Sequence, residues 1–412
     1  MSPRYVVLGG GRQGTAAAYD LIRHGGALEV LIADADEAAA RAAAARVDGL
    51  VGRRAAVARA LDVRDGDAVA AVLGEYDCCL SAVPYYYNLE VARAALAARC
   101  HMCDLGGNTA LVREQLTLDE AARAAGVSLI PDCGQVPGMG TSLIVRALSL
   151  LDEADEVKLW DGGLPQHPVP PWDYALTFNV AGLTNEYDGQ AVFLRHGERV
   201  EVECFDRAGD ELLEFPPPFG ALEAFVTAGG VSTLPWTFAD RLRGVENRTL
   251  RYPGHVAQWR AFRDAGLLEQ EPIEVDGRPV VPRSVLHALL GPRLEAGAEI
   301  RDVVLIRVVA SGRRHGAAAE AQLDLVDRFD EATGFTAMQR TTGWDLAIVA
   351  ALMAGGKTPP GAVPRELSID PALYVAELER RGFDLREEVR AAGEPPAAAQ
   401  SPAGTGGGPS GM

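Results

Sequence analysis

One stretch decides the fold: YVVLGGGRQG, residues 5–14 of the chain. Its four apolar residues predict a buried strand, and the alanine-rich residues from Thr15 onward predict a helix. Between them, Gly9, Gly11 and Gly14 form the G-x-G-x-x-G pattern in the strand-to-helix setting that binds dinucleotides. Gly9 would permit the tight turn, Gly11 would let the main chain approach a pyrophosphate, and Gly14 would allow close packing of strand and helix.

The same region predicts which dinucleotide binds. Arg12 and Gln13 lie in the glycine loop just before the predicted helix, whose free N–H groups and dipole favour an anion. Asp34 ends the second predicted strand, about 20 residues after Gly14, where a carboxylate accepts hydrogen bonds from the ribose hydroxyls. A carboxylate there would repel a 2'-phosphate, and the following Ala35-Asp36-Glu37 adds negative charge. The sequence therefore favours NAD over NADP.

Composition excludes several classes of protein. The chain has 412 residues, of which 48% are hydrophobic and 23% charged, so two or three globular units are expected. No apolar run is long enough to span a bilayer. The formal charge of -18 opposes binding to nucleic acid. The six cysteines are few for a disulfide scaffold, no apolar signal segment opens the chain, and no metal-ligand set is complete, so we expect a cytoplasmic protein without a metal.

The pattern of predicted elements indicates an α/β protein. Strands and helices alternate over residues 1–136, which predicts a Rossmann domain with a doubly wound parallel sheet. Residues 137–341 are richer in strands and turns and predict an α+β domain with a mixed sheet for substrate binding and oligomerisation. An apolar helix at Thr342–Met353 would pack back on the first domain, so residues 342–390 are expected to complete it. Residues 391–412 predict a disordered tail.

Three loops follow strands of the first domain and should meet at one edge of its sheet. Residues 81–84, with Ser81, Val83 and Pro84, are expected to contact the cofactor, and Tyr85 follows them. Asp104 and Asp132 follow the next two strands and carry carboxylates into the presumed cleft. The alternative for each carboxylate is a structural role as a cap that accepts backbone N–H groups.

Several motifs together resemble one known family. They are the glycine loop at residues 9–14, the segments DLGG at 104–107 and IPDCG at 130–134, PGM at 137–139, FGALEAF at 219–225, TLRYPGH at 249–255 and RTTG at 340–343. In combination they resemble the saccharopine dehydrogenase-like family, and most closely its L-lysine 6-dehydrogenase branch. The resemblance covers about residues 4–388.

The resemblance implies that NAD oxidises the carbon bearing the ε-amino group of L-lysine. The products would be ammonia and 2-aminoadipate 6-semialdehyde, which cyclises to piperideine-6-carboxylate. Such a reaction needs groups that relay protons, and the candidates are Asp104, Asp132, Tyr85 and His255. It also needs groups that bind the amino acid, and the candidates are Arg251, Arg243, Asp173 and Tyr174. A guanidinium suits the α-carboxylate.

Two other functions stay open at this point. One is a C–N bond oxidoreductase of the saccharopine or carboxynorspermidine dehydrogenase type. The other is a regulatory protein that binds NAD without catalysis. In every case a small amino acid or amine is the expected partner, and the strands of the second domain suggest a homo-oligomer.

Overall fold

The computed structural model describes residues 2–178, 180–295, 297 and 300–394. The first third of the chain forms β1 (Tyr5–Leu8), α1 (Arg12–Arg23), β2 (Val30–Asp34), α2 (Glu37–Val51), β3 (Ala56–Ala60), α3 (Gly66–Leu73), β4 (Cys78–Ser81), α4 (Asn88–Ala98), β5 (His101–Asp104), α5 (Thr109–Leu116), α6 (Asp119–Ala125) and β6 (Ser128–Ile130).

The middle of the chain forms α7 (Met139–Ser149), β7 (Glu153–Pro165), α8 (Val180–Glu186), β8 (Gln190–Arg195), β9 (Glu198–Glu203), β10 (Glu211–Phe215), β11 (Gly220–Phe225), α9 (Leu234–Thr237), β12 (Gly244–Arg251), α10 (His255–Asp264), β13 (Ile273–Val275), β14 (Arg278–Val280), α11 (Pro282–Leu294), β15 (Asp302–Arg314) and β16 (Ala317–Arg328). The last part forms α12 (Ala337–Gln339), α13 (Asp345–Ala354), β17 (Gly361–Ala362), α14 (Arg365–Ser368), α15 (Pro371–Arg380) and β18 (Asp384–Ala391).

The first sheet is parallel and doubly wound. Among the described residues it has seven strands in the order β17-β6-β5-β4-β1-β2-β3. The chain runs outward from β1 to β3 on one side and then crosses to β4 on the other. The strand order therefore reverses beside β1, and ligands of such sheets bind at the carboxyl ends of the strands at that point.

The second sheet is mixed. The described residues give it nine strands, with the path β10-β11-β12-β7-β15-β16-β18 and with β8 and β9 branching from β12. Strands β12 and β7 run parallel, whereas the long hairpin of β15 and β16 is antiparallel. A parallel Rossmann sheet beside an α+β unit with a mixed sheet confirms the fold class expected from the sequence.

The chain returns to the first sheet and then leaves it again. Helix α13 is buried over most of its length and packs on α1, β4 and β5. Gly343 lies two residues before α13, and it is so close to α1 that an added Cβ would come within 2.6 Å of the Gln13 carbonyl oxygen. Strand β17 then pairs with β6, but β18 pairs with β16 of the second sheet. Residues 384–391 thus differ from the expectation that 342–390 complete the first domain, and the domain boundaries stay a prediction.

The expected disordered tail falls largely outside the described residues. Ala391, where that tail was predicted to begin, is the last residue of β18. All six cysteines are free and buried, as expected for small apolar residues of the core. In the part of the chain that the structure describes, every helix is too short or too polar to cross a bilayer.

Candidate active site

The glycine turn between β1 and α1 has the geometry that close approach to a ligand requires. Gly9 has φ of 104°, and a Cβ there would lie 2.6 Å from the carbonyl oxygen of Ala82. A Cβ on Gly14 would lie 1.9 Å from the carbonyl oxygen of Gly9. By contrast, a Cβ on Gly11 would meet nothing within 4 Å. Helix α1 has no side-chain cap, so its first N–H groups point toward this open space.

The residues around the turn fit a dinucleotide. Ser81 lies beside Leu8 in the sheet, which brings residues 81–84, including Val83 and Pro84, next to Gly9. Asp34 accepts the Gly10 N–H and the Asp36 N–H, each at 2.8 Å. Each carboxylate oxygen has a further lone pair, so Asp34 can still accept from a ribose hydroxyl.

A cavity of about 500 Å³ begins beside the glycine turn and extends to the second sheet. Gln13 of α1 lines it, and its side-chain oxygen is buried without a partner. Arg12 bridges the same two parts of the chain, since its Nη1 donates to the Thr177 carbonyl at 3.2 Å. Among the described residues, the ionisable side chains that line the cavity are four carboxylates and one guanidinium: Asp132, Asp161, Glu186, Asp188 and Arg251.

Asp132 is the carboxylate that the first sheet contributes to this cavity. It follows β6 with φ of 60°, a left-handed conformation that is uncommon for a non-glycine residue. Its Oδ2 accepts the Ser232 hydroxyl at 2.5 Å, while its Oδ1 is buried without a partner. Burial raises the pKa of Asp132 to about 7. The hydrogen bond from Ser232 lowers this pKa, but its effect is smaller than that of burial. A carboxyl group with such a pKa can exchange a proton near neutrality.

A second group of charges lies on the cavity wall formed by the second sheet. Asp161 of β7 and Thr249 of β12 are register partners, and Arg251 lies two residues further on the same face of β12. Glu186 ends α8. Burial raises the pKa of Asp161 to about 8 and that of Glu186 to about 7, while Arg251 lowers both.

Aromatic residues hold Arg251 in place. Its Nε donates to the Tyr187 hydroxyl at 3.0 Å, and its Nη1 donates to the Leu250 carbonyl at 2.8 Å. The guanidinium carbon lies 4.9 Å from the ring centroid of Tyr174, within the range of a cation–π contact. The Tyr187 hydroxyl also bonds to His255 Nε2 at 2.9 Å. His255 therefore supports Arg251 through Tyr187.

His255 differs from the proton relay that the sequence suggested. It is 3% exposed and packs against Tyr174, Tyr187, Phe225 and Trp259. Burial lowers its pKa well below the usual value, and the nearby Arg251 lowers it further. It does not line the cavity. A neutral histidine in this place orients a tyrosine rather than moving protons at the substrate.

Asp104 has the structural role that the sequence left open as the alternative to a catalytic one. Its Oδ1 accepts the Gly106 N–H at 2.8 Å, and its Oδ2 accepts from Gln115 Nε2 at 2.7 Å. Burial raises its pKa to about 6. Because each oxygen is held by a group that follows β5 and the side chain does not line the cavity, Asp104 fixes the loop after β5.

Three further candidates also lie away from the cavity wall. Tyr85 packs against Gly107, where an added Cβ would come within 3.0 Å of the tyrosine Cβ. Asp173 has φ of 48° and lies in the turn before Tyr174, which itself contacts Arg251. Arg243 is exposed just before β12, so its proposed contact with a substrate carboxylate is not supported.

Sequence reasoning missed most of the second cluster. Asp161 precedes Gly162, whose added Cβ would lie 2.5 Å from the Leu250 carbonyl oxygen. Strand β7 also carries Glu153, Asp155 and Glu156, so the sequence did not single out Asp161 among its carboxylates. Glu186, Tyr187 and Ser232 carry no local signal either. Within the described residues, no group of three or more histidine, cysteine or acidic side chains could hold a metal ion.

The fold and the site together define a dinucleotide-binding protein of the oxidoreductase type, with a polar cavity next to its glycine turn. Residues 5–130 match the family model of the saccharopine dehydrogenase NADP binding domain. Residues 134–383 match that of the saccharopine dehydrogenase C-terminal domain. The chain belongs to the saccharopine dehydrogenase family, which confirms the resemblance stated from its motifs.

Individual relatives are distant. The chain is 25% identical over 223 residues to the saccharopine dehydrogenase (NADP(+), L-glutamate-forming) of Schizosaccharomyces pombe, covering 51% of this chain and 48% of that protein. It is 22% identical over 261 residues to the mitochondrial alpha-aminoadipic semialdehyde synthase of Rattus norvegicus, covering 59% and 27%. The chain thus spans about half the length of the fungal relative and 27% of the length of the rat relative. The apo saccharopine dehydrogenase (L-Glu forming) of Saccharomyces cerevisiae shares the fold, with a TM-score of 0.75, 19% identity and coverage of 94% of this chain and 100% of that one.

The open space at Gly11 gives a first prediction. Gly11→Ala adds a methyl group where the structure has room and at φ of -74°, which suits alanine. The melting temperature should change by only a few degrees, whereas affinity for NAD and NADP should fall at least about tenfold, because the methyl group occupies the space of a pyrophosphate. Calorimetric titration with each nucleotide would measure this.

Gly14→Ala is the matched comparison, since its methyl group would collide with the Gly9 carbonyl oxygen. That variant should lose stability as well as affinity. Unchanged nucleotide affinity in Gly11→Ala would show that no pyrophosphate lies at this turn.

The raised pKa of Asp132 gives a second prediction, about stability. The folded protein keeps the Asp132 proton up to about pH 7, whereas an unfolded aspartate releases it near pH 4. Ionisation therefore costs stability as the pH rises from about 4 to about 7. Asp132→Asn avoids this cost and can still accept from Ser232, so its melting temperature should exceed that of the wild type by several degrees at pH 8, and by less at pH 5. A lower melting temperature at pH 8 would contradict the burial of an ionisable, uncompensated carboxylate.

Proposed function

We propose that the protein is an NAD-dependent dehydrogenase that oxidatively deaminates the ε-amino group of L-lysine. The observation that carries the proposal is the charge of the cavity wall, where four carboxylates face one guanidinium. Asp188 has its own cation, because it pairs with Arg283. The other three have no cation within salt-bridge distance among the described residues, so a ligand with positive charge would stabilise their ionised forms, and lysine brings two ammonium groups with one carboxylate.

The same charges disfavour saccharopine as the substrate. Saccharopine carries three carboxylates, and each would need a cationic or N–H partner when buried. Arg251 is the one guanidinium on the cavity wall within the described residues. A wall with excess carboxylates repels such a ligand, so an amine-rich substrate is favoured over a carboxylate-rich one.

Asp132 is the residue that can take up the proton that the reaction releases. An ε-ammonium has no free lone pair, and its pKa near 10.4 keeps it protonated in water. Oxidation of the carbon needs the neutral amine, so a base must first accept one proton. Asp132 has a buried oxygen without a partner and a pKa of about 7, and Ser232 fixes its other oxygen. The nicotinamide ring, when bound, supplies the hydride acceptor.

Asp132 can also serve the hydrolytic half of the reaction. Water must add to the resulting C=N bond, which requires removal of a proton from that water. The nitrogen of the resulting carbinolamine then takes up a proton, the C–N bond breaks to release ammonia, and the hydroxyl group gives up its proton as the aldehyde forms. One carboxyl group that alternates between its two forms near neutrality can handle each of these proton transfers. Burial gives Asp132 that property.

The choice of NAD rests on Asp34. Its carboxylate is fixed at the glycine turn by two N–H groups and is followed by Asp36 and Glu37 at the surface. A 2'-phosphate at that ribose would meet this negative charge. The matching family model and the fungal relatives are described as NADP-binding, so the cofactor proposal departs from their names and needs its own test.

A C–N bond oxidoreductase acting on a secondary amine of the saccharopine or carboxynorspermidine type stays the second candidate. A smaller cavity of about 280 Å³ adjoins the first and shares Ser232 and Asn247 with it. It offers room for a second arm on the substrate nitrogen. The non-catalytic NAD-binding regulator, the homo-oligomer and the cytoplasmic location stay predictions from the sequence.

A panel of substrates separates these functions. L-lysine, saccharopine, carboxynorspermidine and 1,5-diaminopentane are each incubated with NAD or NADP, and reduced nucleotide is followed by its absorbance. L-lysine with NAD should give the highest kcat/KM, because the cavity complements its charges. Turnover of saccharopine without turnover of lysine would contradict the proposed function and support the second candidate function. Nucleotide binding without turnover of any of the four would favour a regulator.

Asp132→Asn tests the proposed base in the same assay. We expect kcat to fall by about 10²- to 10⁴-fold, as is usual on removal of a general base. Ser232→Ala is a milder variant for comparison, because it keeps the Asp132 carboxyl and removes a hydrogen bond that lowers its pKa. That variant should remain active, with the acid limb of its kcat–pH profile moved to higher pH. Full kcat in Asp132→Asn would assign the proton transfer to another group.

Asp34→Asn tests the cofactor proposal. It removes the negative charge and one acceptor, so the ratio of the dissociation constants for NADP and NAD should fall about tenfold. The ratio cancels any loss that both nucleotides share when the turn is disturbed. Asp36→Asn is the control, since Asp36 caps α2 by accepting the Ala38 N–H, and it should change the ratio less than about threefold. An unchanged ratio in Asp34→Asn would show that Asp34 does not touch the ribose.

A further inference from the structure

Apart from Asp188, which pairs with Arg283, the charged side chains that line the cavity among the described residues form two separate clusters. The charges that act on the carboxyl of Asp132 are those of Asp104, Glu366 and Arg365. Those that act on Asp161 are Glu186 and Arg251. The cavity thus has one end with a single carboxylate near the first sheet, and another end with two carboxylates and a guanidinium on the second sheet.

The second end is not a set of internal ion pairs. Within the described residues, no guanidinium or ammonium nitrogen lies within 4.0 Å of the carboxylate of Asp161 or Glu186, and both carboxyls interact with Arg251 through space only. Arg251 itself is 4% exposed and is held by Tyr187 and the Leu250 carbonyl. The carboxylates of Asp161 and Glu186 and the guanidinium of Arg251 are therefore available to a ligand without breaking a salt bridge.

A neighbouring amide gives an independent sign of a polar ligand. Asn247, Thr249 and Arg251 alternate along β12, so their side chains lie on one face, and all three line the cavity. Asn247 is 2% exposed, and its side-chain oxygen has no hydrogen-bond partner. A buried acceptor without a donor is costly, and an N–H group of a ligand would satisfy it.

We propose that Asp161, Glu186 and Arg251 bind the head group of an α-amino acid, with the α-carboxylate on Arg251 and the α-ammonium on the two carboxylates. This inference rests on the proposed function and names the residues that make the cavity specific for an amino acid. The side chain of the substrate then extends toward Asp132, where its terminal amine reacts. Simple diamines, which lack the carboxylate, cannot use Arg251 in this way.

Binding measurements test the head-group site without depending on turnover. Calorimetric titrations of the NAD-bound protein use L-norleucine, which has the head group but no terminal amine, and 1,5-diaminopentane, which has amines but no carboxylate. Glu186→Gln and Asp161→Asn should each weaken L-norleucine binding about tenfold or more, and should weaken diamine binding by a clearly smaller factor. Both variants remove a desolvated charge, so their melting temperatures should not fall at pH 8.

Glu198→Gln is the control, because this carboxylate is exposed at the start of β9 and lines neither cavity. It should change neither affinity by more than about twofold. The site is overturned if wild-type protein does not bind L-norleucine, if the two variants bind it as the wild type does, or if they lose both ligands equally.

This inference and the proposed function can fail separately. If L-norleucine binding depends on Glu186 and Asp161 but lysine is never oxidised, the head-group site stands and the proposed reaction falls. If lysine is oxidised and L-norleucine affinity is unchanged in both variants, the reaction stands and the head-group site falls.

Discussion

The site depends on carboxylates that are buried without a cation of their own. Some buried carboxylates elsewhere in the core have their own guanidinium, as in Asp20–Arg381 and Asp345–Arg365, both at 2.6 Å and fully buried. Removing one member of such a pair leaves a buried charge uncompensated, which is strongly destabilising. Among the described residues, Asp132 and its counterparts across the cavity have no guanidinium within salt-bridge distance, and burial raises their pKa values. Under the proposed function, a ligand that brings positive charge would recover the free energy lost in this way, so the same feature would favour amines.

The second sheet supplies rigidity to this arrangement. Strands β7 and β12 are neighbours in the interior of the sheet, so the side chains of Asp161 and Arg251 project from fixed positions rather than from loops. Tyr187 and His255 add a buried hydrogen-bond chain that fixes the guanidinium further. A long arginine side chain normally loses conformational freedom on binding, and a preorganised one has already lost it. The neutral state of His255 follows from the same packing, which explains why a histidine close to the site is unsuited to proton transfer.

The sequence was sufficient for the glycine turn and for most strands and helices of the first sheet, because their signals are local. The glycine turn, Asp34 and the alternation of strands and helices all act within about 35 residues, and each has a direct physical meaning. The missed elements are those formed by distant or atypical segments. Strand β3 contains alanine and arginine instead of a continuous apolar run, and the two residues of β17 pair with β6 more than two hundred positions earlier. The cavity wall has the same origin, because Asp161, Glu186 and Arg251 meet only through strand pairing that no local pattern encodes.

Membership of the saccharopine dehydrogenase family and a preference for lysine are chemically compatible. Saccharopine is lysine whose ε-nitrogen is also bonded to carbon 2 of glutaric acid, and release of L-glutamate from it requires oxidation of the same lysine carbon that deamination oxidises. The two substrates differ only in what the nitrogen carries, so one fold can serve both if the wall around that nitrogen changes its charge. Among the described residues, Arg251 is the one cation on the wall of the larger cavity, and Arg113 lines the adjoining smaller one. Under the proposed function, a preference for lysine would therefore be a change of electrostatics around the reacting nitrogen, and not a change of fold.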